Sequence, residues 1–176
     1  MSFEAKSIEA IEIVWDGPYD FEQAIKKSDQ DEDYGVYQLY GTHLIFGSDA
    51  ILYIGKARDR TFSVRLKEHK KYWVDWEASK LQIYLGRIGG LKPARAVKGE
   101  WRDWETQIDR VERLLVYYCA PPYNSSGLNG FGKMKPTILM NYGVRHRLPF
   151  EVSTLYDCGE YAMNPKDWKA YTTSST

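Results

Sequence analysis

The sequence has little of several features that would each point to a definite class of protein. Its two cysteines, Cys119 and Cys158, are far apart and outside any metal-binding spacing, so we interpret them as buried thiols in a reducing compartment. No apolar run approaches the length that spans a membrane, and the first residues lack the pattern of a signal peptide. We therefore expect a cytoplasmic protein that does not associate with membranes.

The formal net charge is zero, which by itself argues mildly against a nucleic-acid partner. The charges are nevertheless unevenly distributed. Residues 1–34 hold ten acidic side chains against three basic ones, and the segment 56–71 holds seven basic against two acidic. A local basic surface of this kind attracts phosphate backbones. We expect the basic segment to face nucleic acid, and we expect the acidic run to be solvated surface.

Alternating apolar residues and helical spacings predict the main elements. Strands are expected at 35–40 and 51–55, joined as a hairpin by a loop rich in glycine. A helix follows from about Thr61, with Phe62, Leu66 and Trp73 toward the core, and 81–88 predicts a third strand. The clearest helix spans 100–119, because apolar side chains recur there at three and four residues, and Pro121-Pro122 ends it.

The two ends of the chain are less regular. Residues 8–15 predict an edge strand, and a short helix follows with Asp20 as its N-cap. We divide the chain into an N-terminal extension, 1–33, packed on a main domain, 34–176, that ends in a C-terminal elaboration. The order of elements predicts the α+β class, with a small three-stranded antiparallel sheet flanked by helices.

Five short motifs, taken in order, resemble the GIY-YIG nuclease family. Gly35-Val36-Tyr37 stands for the first tripeptide, with Val for the usual Ile, and Tyr53-Ile54-Gly55 is the second, followed by Lys56. The later matches are Arg65 with His69 one turn on, Glu112 on a later helix, and Asn124 in Pro122-Tyr123-Asn124. The resemblance covers about residues 34–125, and the family's fold is a three-stranded antiparallel sheet among helices.

The resemblance implies cleavage of DNA phosphodiesters with one divalent metal ion, Mg²⁺ or Mn²⁺. Glu112 is then the metal ligand, and Arg65 holds a phosphate oxygen. Tyr37 orients or deprotonates the attacking water, which requires a nearby cation, and Lys56 is the nearest candidate in sequence. Tyr53 and His69 bind phosphate or relay a proton, and Asn124 positions the glutamate or a phosphate.

Each of these residues also has an ordinary structural interpretation. Strand tyrosines are usually core residues, and Arg65 and His69 suit the surface of an amphipathic helix. Glu112 has Arg110 and Arg113 as neighbours for ion pairs, and Asn124 suits a turn. Five coincidences in family order would be needed to explain all of them this way. We therefore favour the nuclease.

The functional expectation is a restriction-like or stand-alone DNA endonuclease, because no helix-hairpin-helix or second nuclease domain follows. The alternatives are a catalytically silent nucleic-acid-binding module and a nuclease for branched DNA or RNA. Cutting both strands with one site per chain favours a homodimer. The expected backbone contacts near the motifs are Arg58, Arg60, Lys70 and Lys71. Those in the C-terminal part are Lys133, Lys135, Arg145 and Arg147, for which ordinary solvated surface is the alternative.

Overall fold

The computed structural model of the chain describes residues 8–28, 33–73, 81–89 and 101–156. The side chain of Trp73, which was expected to face the core, and Cys158 lie outside the described part. The elements in chain order are β1 Glu9–Tyr19, α1 Phe21–Lys27, β2 Gly35–His43, β3 Gly47–Ala57, α2 Phe62–Trp73, β4 Gln82–Ile88, α3 Trp101–Cys119, β5 Thr137–Gly143 and β6 Glu151–Ser153, with a 3-10 turn at Thr154–Tyr156.

The strands form one mixed six-stranded sheet in the order β3-β2-β4-β1-β5-β6. The α+β class is confirmed, but the prediction of a small three-stranded antiparallel sheet is wrong. The three strands predicted for it, β2, β3 and β4, are one half of the larger sheet and are antiparallel to one another. The sheet continues because β4 also pairs with β1, and β1 pairs in parallel with β5.

The strand predicted at the edge of the sheet is an internal one. β1 hydrogen-bonds to β4 on one side and to β5 on the other. Its alternating residues Ile11, Ile13 and Trp15 are buried, as a half-buried strand requires. The alternation identifies a strand but says nothing about its neighbours, since both partners lie far along the chain.

Helices cover both faces of the sheet. The buried side of α3, which includes Ile108 and Val111, packs with Val36 and Ile54 on one face. On the opposite face, Phe21 of α1 and Phe62 of α2 pack with Tyr37. Alternate residues of β2 and β3 therefore belong to different cores, because successive side chains of a strand point to opposite faces. β3 forms one edge of the sheet.

One acidic residue of the N-terminal region is buried, contrary to the expectation of a solvated run. Asp33 is fully buried and receives two hydrogen bonds from Arg87 of β4, each 2.7 Å long. The pairing is bidentate, the strongest geometry for these two groups. Asp33 therefore ties the chain before β2 to the middle of the sheet.

Two smaller predictions have clear outcomes. Asp20 caps α1 as expected, and its carboxylate and the side chain of Gln23 form a reciprocal capping box. The hairpin between β2 and β3 is confirmed, and Leu44, Ile45 and Phe46 at its tip are exposed. In the part of the chain that the structure describes, we find no helix with the length and apolar character needed to cross a membrane.

Candidate active site

The β2–β3 hairpin brings the two motif tyrosines together. In the antiparallel register Tyr37 pairs with Gly55 and Leu39 pairs with Tyr53, and the two tyrosine ring centroids are 6.1 Å apart. Gly55 lies between the rings. A Cβ atom at this position would be 2.5 Å from the Tyr37 hydroxyl and 2.6 Å from the Tyr53 ring, so the arrangement requires glycine there.

The α2 helix completes this cluster from the same face of the sheet. The His69 ring is 5.8 Å from the Tyr37 ring and 5.3 Å from the Tyr53 ring. One turn earlier, the charge of Arg65 acts on both phenol groups. Its Nη1 also donates a hydrogen bond of 3.1 Å to Glu68, and about a third of the Arg65 side chain is exposed. A partly exposed guanidinium thus lies beside two tyrosines and a histidine.

The ionisation of these groups follows from their burial. Tyr37 is fully buried, and desolvation together with the neighbouring Tyr53 raises its pKa well above the ordinary range. The Tyr37 hydroxyl makes no hydrogen bond of standard geometry with the described residues, so its contact with Tyr53 is a loose one. Burial and the charge of Glu112 also raise the pKa of Tyr53. Both phenols are therefore neutral at physiological pH.

His69 has the opposite tendency. Burial and, after it, the positive charge of Arg65 lower the pKa of this imidazole below its ordinary value of 6.5. A neutral imidazole at pH 7 can accept a proton, which a neutral phenol does poorly. Of the three clustered rings, His69 is the one with the chemistry of a general base.

The carboxylates of the site come from α3. Glu112 Oε2 lies 2.7 Å from the Lys56 ammonium, and the Glu112 side chain is 20% exposed. The charge of Glu112 also raises the pKa of both tyrosines. The ordinary interpretation offered Arg110 or Arg113 as the partner of Glu112. Arg110 forms an ion pair with Glu9, and Arg113 lines the same cleft as Glu112.

Sequence reasoning missed Asp109, the second acid of this region. Its Oδ1 lies 2.8 Å from Lys56 and its Oδ2 2.6 Å from Arg58. Although burial raises the pKa of Asp109, the two cations outweigh that effect and lower it. The available signal was its position three residues before Glu112, which puts both acids on one side of α3.

Arg65 is a cation whose charge opposes the rise in the pKa of Tyr37, whereas Lys56, the candidate that the sequence suggested, acts on the pKa of Tyr53. The Lys56 ammonium is held by the two α3 carboxylates. Burial lowers the pKa of Lys56, but the ion pairs with Asp109 and Glu112 raise it overall. Lys56 is therefore a charged partner of the carboxylates.

Two clefts meet at Lys56. One has a volume of about 400 Å³ and is lined by Glu112, Asn124 and the glycine-rich loop that includes Gly130 and Phe131. The other, of about 290 Å³, is lined by Lys56 and the four charged residues Arg58, Asp59, Arg60 and Arg65. Glu112 thus lines one cleft together with Arg113, whereas Arg58, Arg60 and Arg65 line the other. Lys56 lines both clefts.

Asn124 is hydrogen-bonded to the backbone of β3. Its Nδ2 donates to the Ile54 carbonyl at 2.8 Å and its Oδ1 accepts from the Ile54 amide at 3.0 Å. Next to it, the Tyr123 amide donates to the Leu52 carbonyl at 3.1 Å. The loop after α3 therefore satisfies the exposed edge of β3 at the second motif, and Asn124 fixes the strand that carries Tyr53.

The residues present are compatible with a single Mg²⁺ or Mn²⁺ ion at Glu112. Such ions bind through one or two carboxylates and keep several waters, so a large set of ligands is unnecessary. The Glu112 side chain lines a cleft with space for waters, and the ion pair with Lys56 uses only Oε2. Among the described residues no group of three or more His, Cys, Asp or Glu side chains has metal-binding geometry.

The expected DNA contacts fall into two groups. Five of them already have partners: Arg58, Arg60, Lys70 and Arg147 form ion pairs with carboxylates, and Arg145 donates to a backbone carbonyl. Lys71, Lys133 and Lys135 are exposed and form no ion pair with other described residues. Arg147 belongs to a separate region near Tyr84, because it shares Asp49 with His146, whose ring stacks on Tyr84.

In comparisons with known proteins, no family model matches the chain, and neither a curated protein nor a solved structure matches it.

Proposed function

We propose that this chain is a divalent-metal-dependent DNA endonuclease of the GIY-YIG type. The observation that carries the proposal is the cluster of Tyr37, Tyr53 and His69 beside Arg65, with the Glu112 carboxylate near enough for its charge to act on both tyrosines. Tyr37 comes from β2, Tyr53 from β3, Arg65 with His69 from α2, and Glu112 from α3. Phosphodiester hydrolysis needs a general base, a fixed cation for the phosphate and a metal ligand, and this set contains all three.

The guanidinium of Arg65 is the group that binds the phosphate. It borders a cleft with three further cations and one acid, which gives that cleft a net positive charge. Arg65 Nη1 donates a hydrogen bond to Glu68. A planar guanidinium has further N–H groups that can donate to a phosphate oxygen. Arg58 and Arg60 line the same cleft and would contact the neighbouring phosphates of the DNA backbone.

The base is His69, and Tyr53 orients the nucleophile. His69 is neutral near pH 7 for the reasons given above, whereas Tyr37 and Tyr53 keep their protons. Tyr53 is only partly buried, so its hydroxyl can hydrogen-bond to a water or to a phosphate oxygen. Tyr37, fully buried behind it, supports the position of Tyr53 and His69.

Glu112 would hold the metal ion, and Lys56 would hold Glu112 in place before the ion binds. A bound Mg²⁺ supplies charge for the phosphate oxygens and for the leaving oxygen. A cytoplasmic location and a homodimer that cuts both strands are parts of the same proposal.

A second candidate function is a nucleic-acid-binding module that does not cut. The specific observation in its favour is the ion pair of 2.7 Å between Lys56 and Glu112, since a carboxylate neutralised by lysine is a poorer metal ligand. In that case the basic cleft binds a phosphate backbone and the aromatic cluster is only structural.

A cleavage assay separates the two functions. Purified full-length protein is incubated with supercoiled plasmid, linear duplex, branched DNA and RNA, with Mg²⁺, with Mn²⁺ and with a chelator. The nuclease predicts metal-dependent cutting of DNA that Tyr53→Phe reduces by about 100-fold, whereas Tyr142→Phe, an exposed tyrosine on β5, retains wild-type activity. Binding to DNA without cutting of any substrate would contradict the nuclease and favour the module.

A further inference from the structure

Lys56 is held between two carboxylates of one helix. Its Nζ lies 2.7 Å from Glu112 and 2.8 Å from Asp109, and the second oxygen of Asp109 accepts a hydrogen bond of 2.6 Å from Arg58. The result is a row of alternating charges in the order Glu112, Lys56, Asp109, Arg58. This row connects the cleft that Glu112 lines to the cleft that Arg58 lines.

The row determines how easily a divalent cation can take the Glu112 carboxylate. Lys56 and the cation compete for the same group. About two thirds of the Lys56 side chain is shielded from solvent, so separating it from Glu112 with no second anion nearby would leave a partly desolvated charge unpaired. Asp109 already contacts Lys56, so the positive charge of Lys56 stays compensated when Lys56 loses Glu112 as a partner.

We propose that Asp109 is a positioning residue for metal binding: it retains Lys56 when a divalent cation takes the Glu112 carboxylate. The inference rests on the proposed function, because it takes Glu112 as the metal ligand. A direct role of Asp109 as a second ligand fits the contacts less well. Its Oδ2 accepts a hydrogen bond from Arg58, and its Oδ1 is buried and lies 2.8 Å from the Lys56 ammonium, in an ion pair without hydrogen-bond geometry.

The test is a double-mutant cycle on metal affinity, measured without DNA. Mn²⁺ binding to the full chain is followed by calorimetry and by the electron paramagnetic resonance of free Mn²⁺, for wild type, Asp109→Asn, Lys56→Met and the double variant. We expect Asp109→Asn to weaken binding by at least about fivefold, as is usual for coupled sites. In the Lys56→Met background, where the competing ammonium is gone, the same replacement leaves the affinity unchanged.

Two further variants complete the design. Asp59→Asn removes an exposed acid that also pairs with Arg58, and its Mn²⁺ affinity should equal that of wild type. Asp109→Glu keeps the charge and should restore binding close to the wild-type value. Thermal melts of every variant establish that it is folded before its affinity is compared.

The outcomes distinguish this inference from the proposed function. If Asp109→Asn weakens Mn²⁺ binding equally in both backgrounds, Asp109 is itself a ligand and the inference is wrong, while the metal-dependent nuclease stands. If the replacement changes binding in neither background, the inference is also wrong. If neither wild type nor Lys56→Met binds Mn²⁺, both the inference and the metal site at Glu112 are wrong.

Discussion

Asn124 forms two hydrogen bonds with the backbone of Ile54, although the two residues are 70 positions apart in the chain. The amide of one side chain thus satisfies both the N–H and the C=O of a residue on the edge strand β3. This contact holds the strand that carries Tyr53 against the loop that lines the larger cleft. Asn124 thus positions the strand through one N–H and the carbonyl oxygen of its side-chain amide.

The first prediction concerns this contact. Asn124→Asp keeps the size of the side chain but replaces the donor to the Ile54 carbonyl with a carboxylate oxygen. We expect the free energy of unfolding to fall by about 1–3 kcal/mol, measured by urea denaturation. Asn129→Asp, an exposed position in the same loop, is the control. Equal free energies of unfolding for the two variants would mean that the contact between Asn124 and Ile54 does not contribute to stability.

The second prediction concerns the buried pair of Asp33 and Arg87. Asp33→Ala leaves the largely buried guanidinium of Arg87 with one acidic partner among the described residues, the more distant Asp16, 3.7 Å away. We expect a loss of about 3–5 kcal/mol in the free energy of unfolding, as is typical when one partner of a buried ion pair is removed.

A comparison variant for this pair is Asp59→Ala, whose carboxylate is 71% exposed and pairs with Arg58 at the surface. Its loss should be at most about 1 kcal/mol. Similar losses for Asp33→Ala and Asp59→Ala would contradict the prediction, because they would show that the buried pair of Asp33 and Arg87 contributes no more to the free energy of unfolding than an exposed pair.

The third prediction is a pH dependence of stability that His69 causes. Burial and Arg65 lower the pKa of His69 in the folded state, and the unfolded chain has the ordinary value of 6.5. The unfolded state therefore binds the proton more readily. The stability from the neutral imidazole is fully present above pH 6.5 and is lost as the pH falls from there toward the folded-state pKa.

The measurement compares wild type with His69→Phe. Urea denaturation between about pH 8 and about pH 5 should show a steeper fall in the free energy of unfolding for wild type. Parallel curves for wild type and His69→Phe would contradict the lowered pKa of His69.

The fourth prediction concerns Gly55. A methyl group there would lie 2.5 Å from the Tyr37 ring and hydroxyl, so both tyrosines must shift in Gly55→Ala. We expect a loss of about 1–3 kcal/mol in the free energy of unfolding, which is usual for an overpacked core. Any cleavage activity should fall at the same time, whereas Ser48→Ala on the exposed start of β3 should change neither property. Unchanged stability in Gly55→Ala would contradict the close packing of the two rings.

The sequence predicts well what depends on local pattern. The hairpin, α2, β4 and α3 lie close to their predicted bounds, because alternation and helical spacing act within a few residues. The partners of β1 depend on contacts with 82–88 and 137–143, which no local pattern encodes, and the strand was placed at the edge for that reason.

Buried charge is the other feature that local patterns conceal. Asp33 stands in an acidic run that has the composition of a solvated surface, and its partner Arg87 is 54 residues away. Asp109 was missed in the same way, since its contacts with Lys56 and Arg58 cross from α3 to the end of β3. The motif residues were found by their order in the chain, whereas these acids become visible only when their partners are placed.

The most direct test of the central claim is the single-turnover rate of DNA cleavage by Glu112→Gln at saturating Mg²⁺, measured together with DNA affinity. Glutamine keeps the shape of the side chain and removes the charge that a metal ion needs. The account predicts a rate at least about 100-fold below wild type, with DNA affinity nearly unchanged and with Glu151→Gln fully active. Cleavage by Glu112→Gln at the wild-type rate would contradict it.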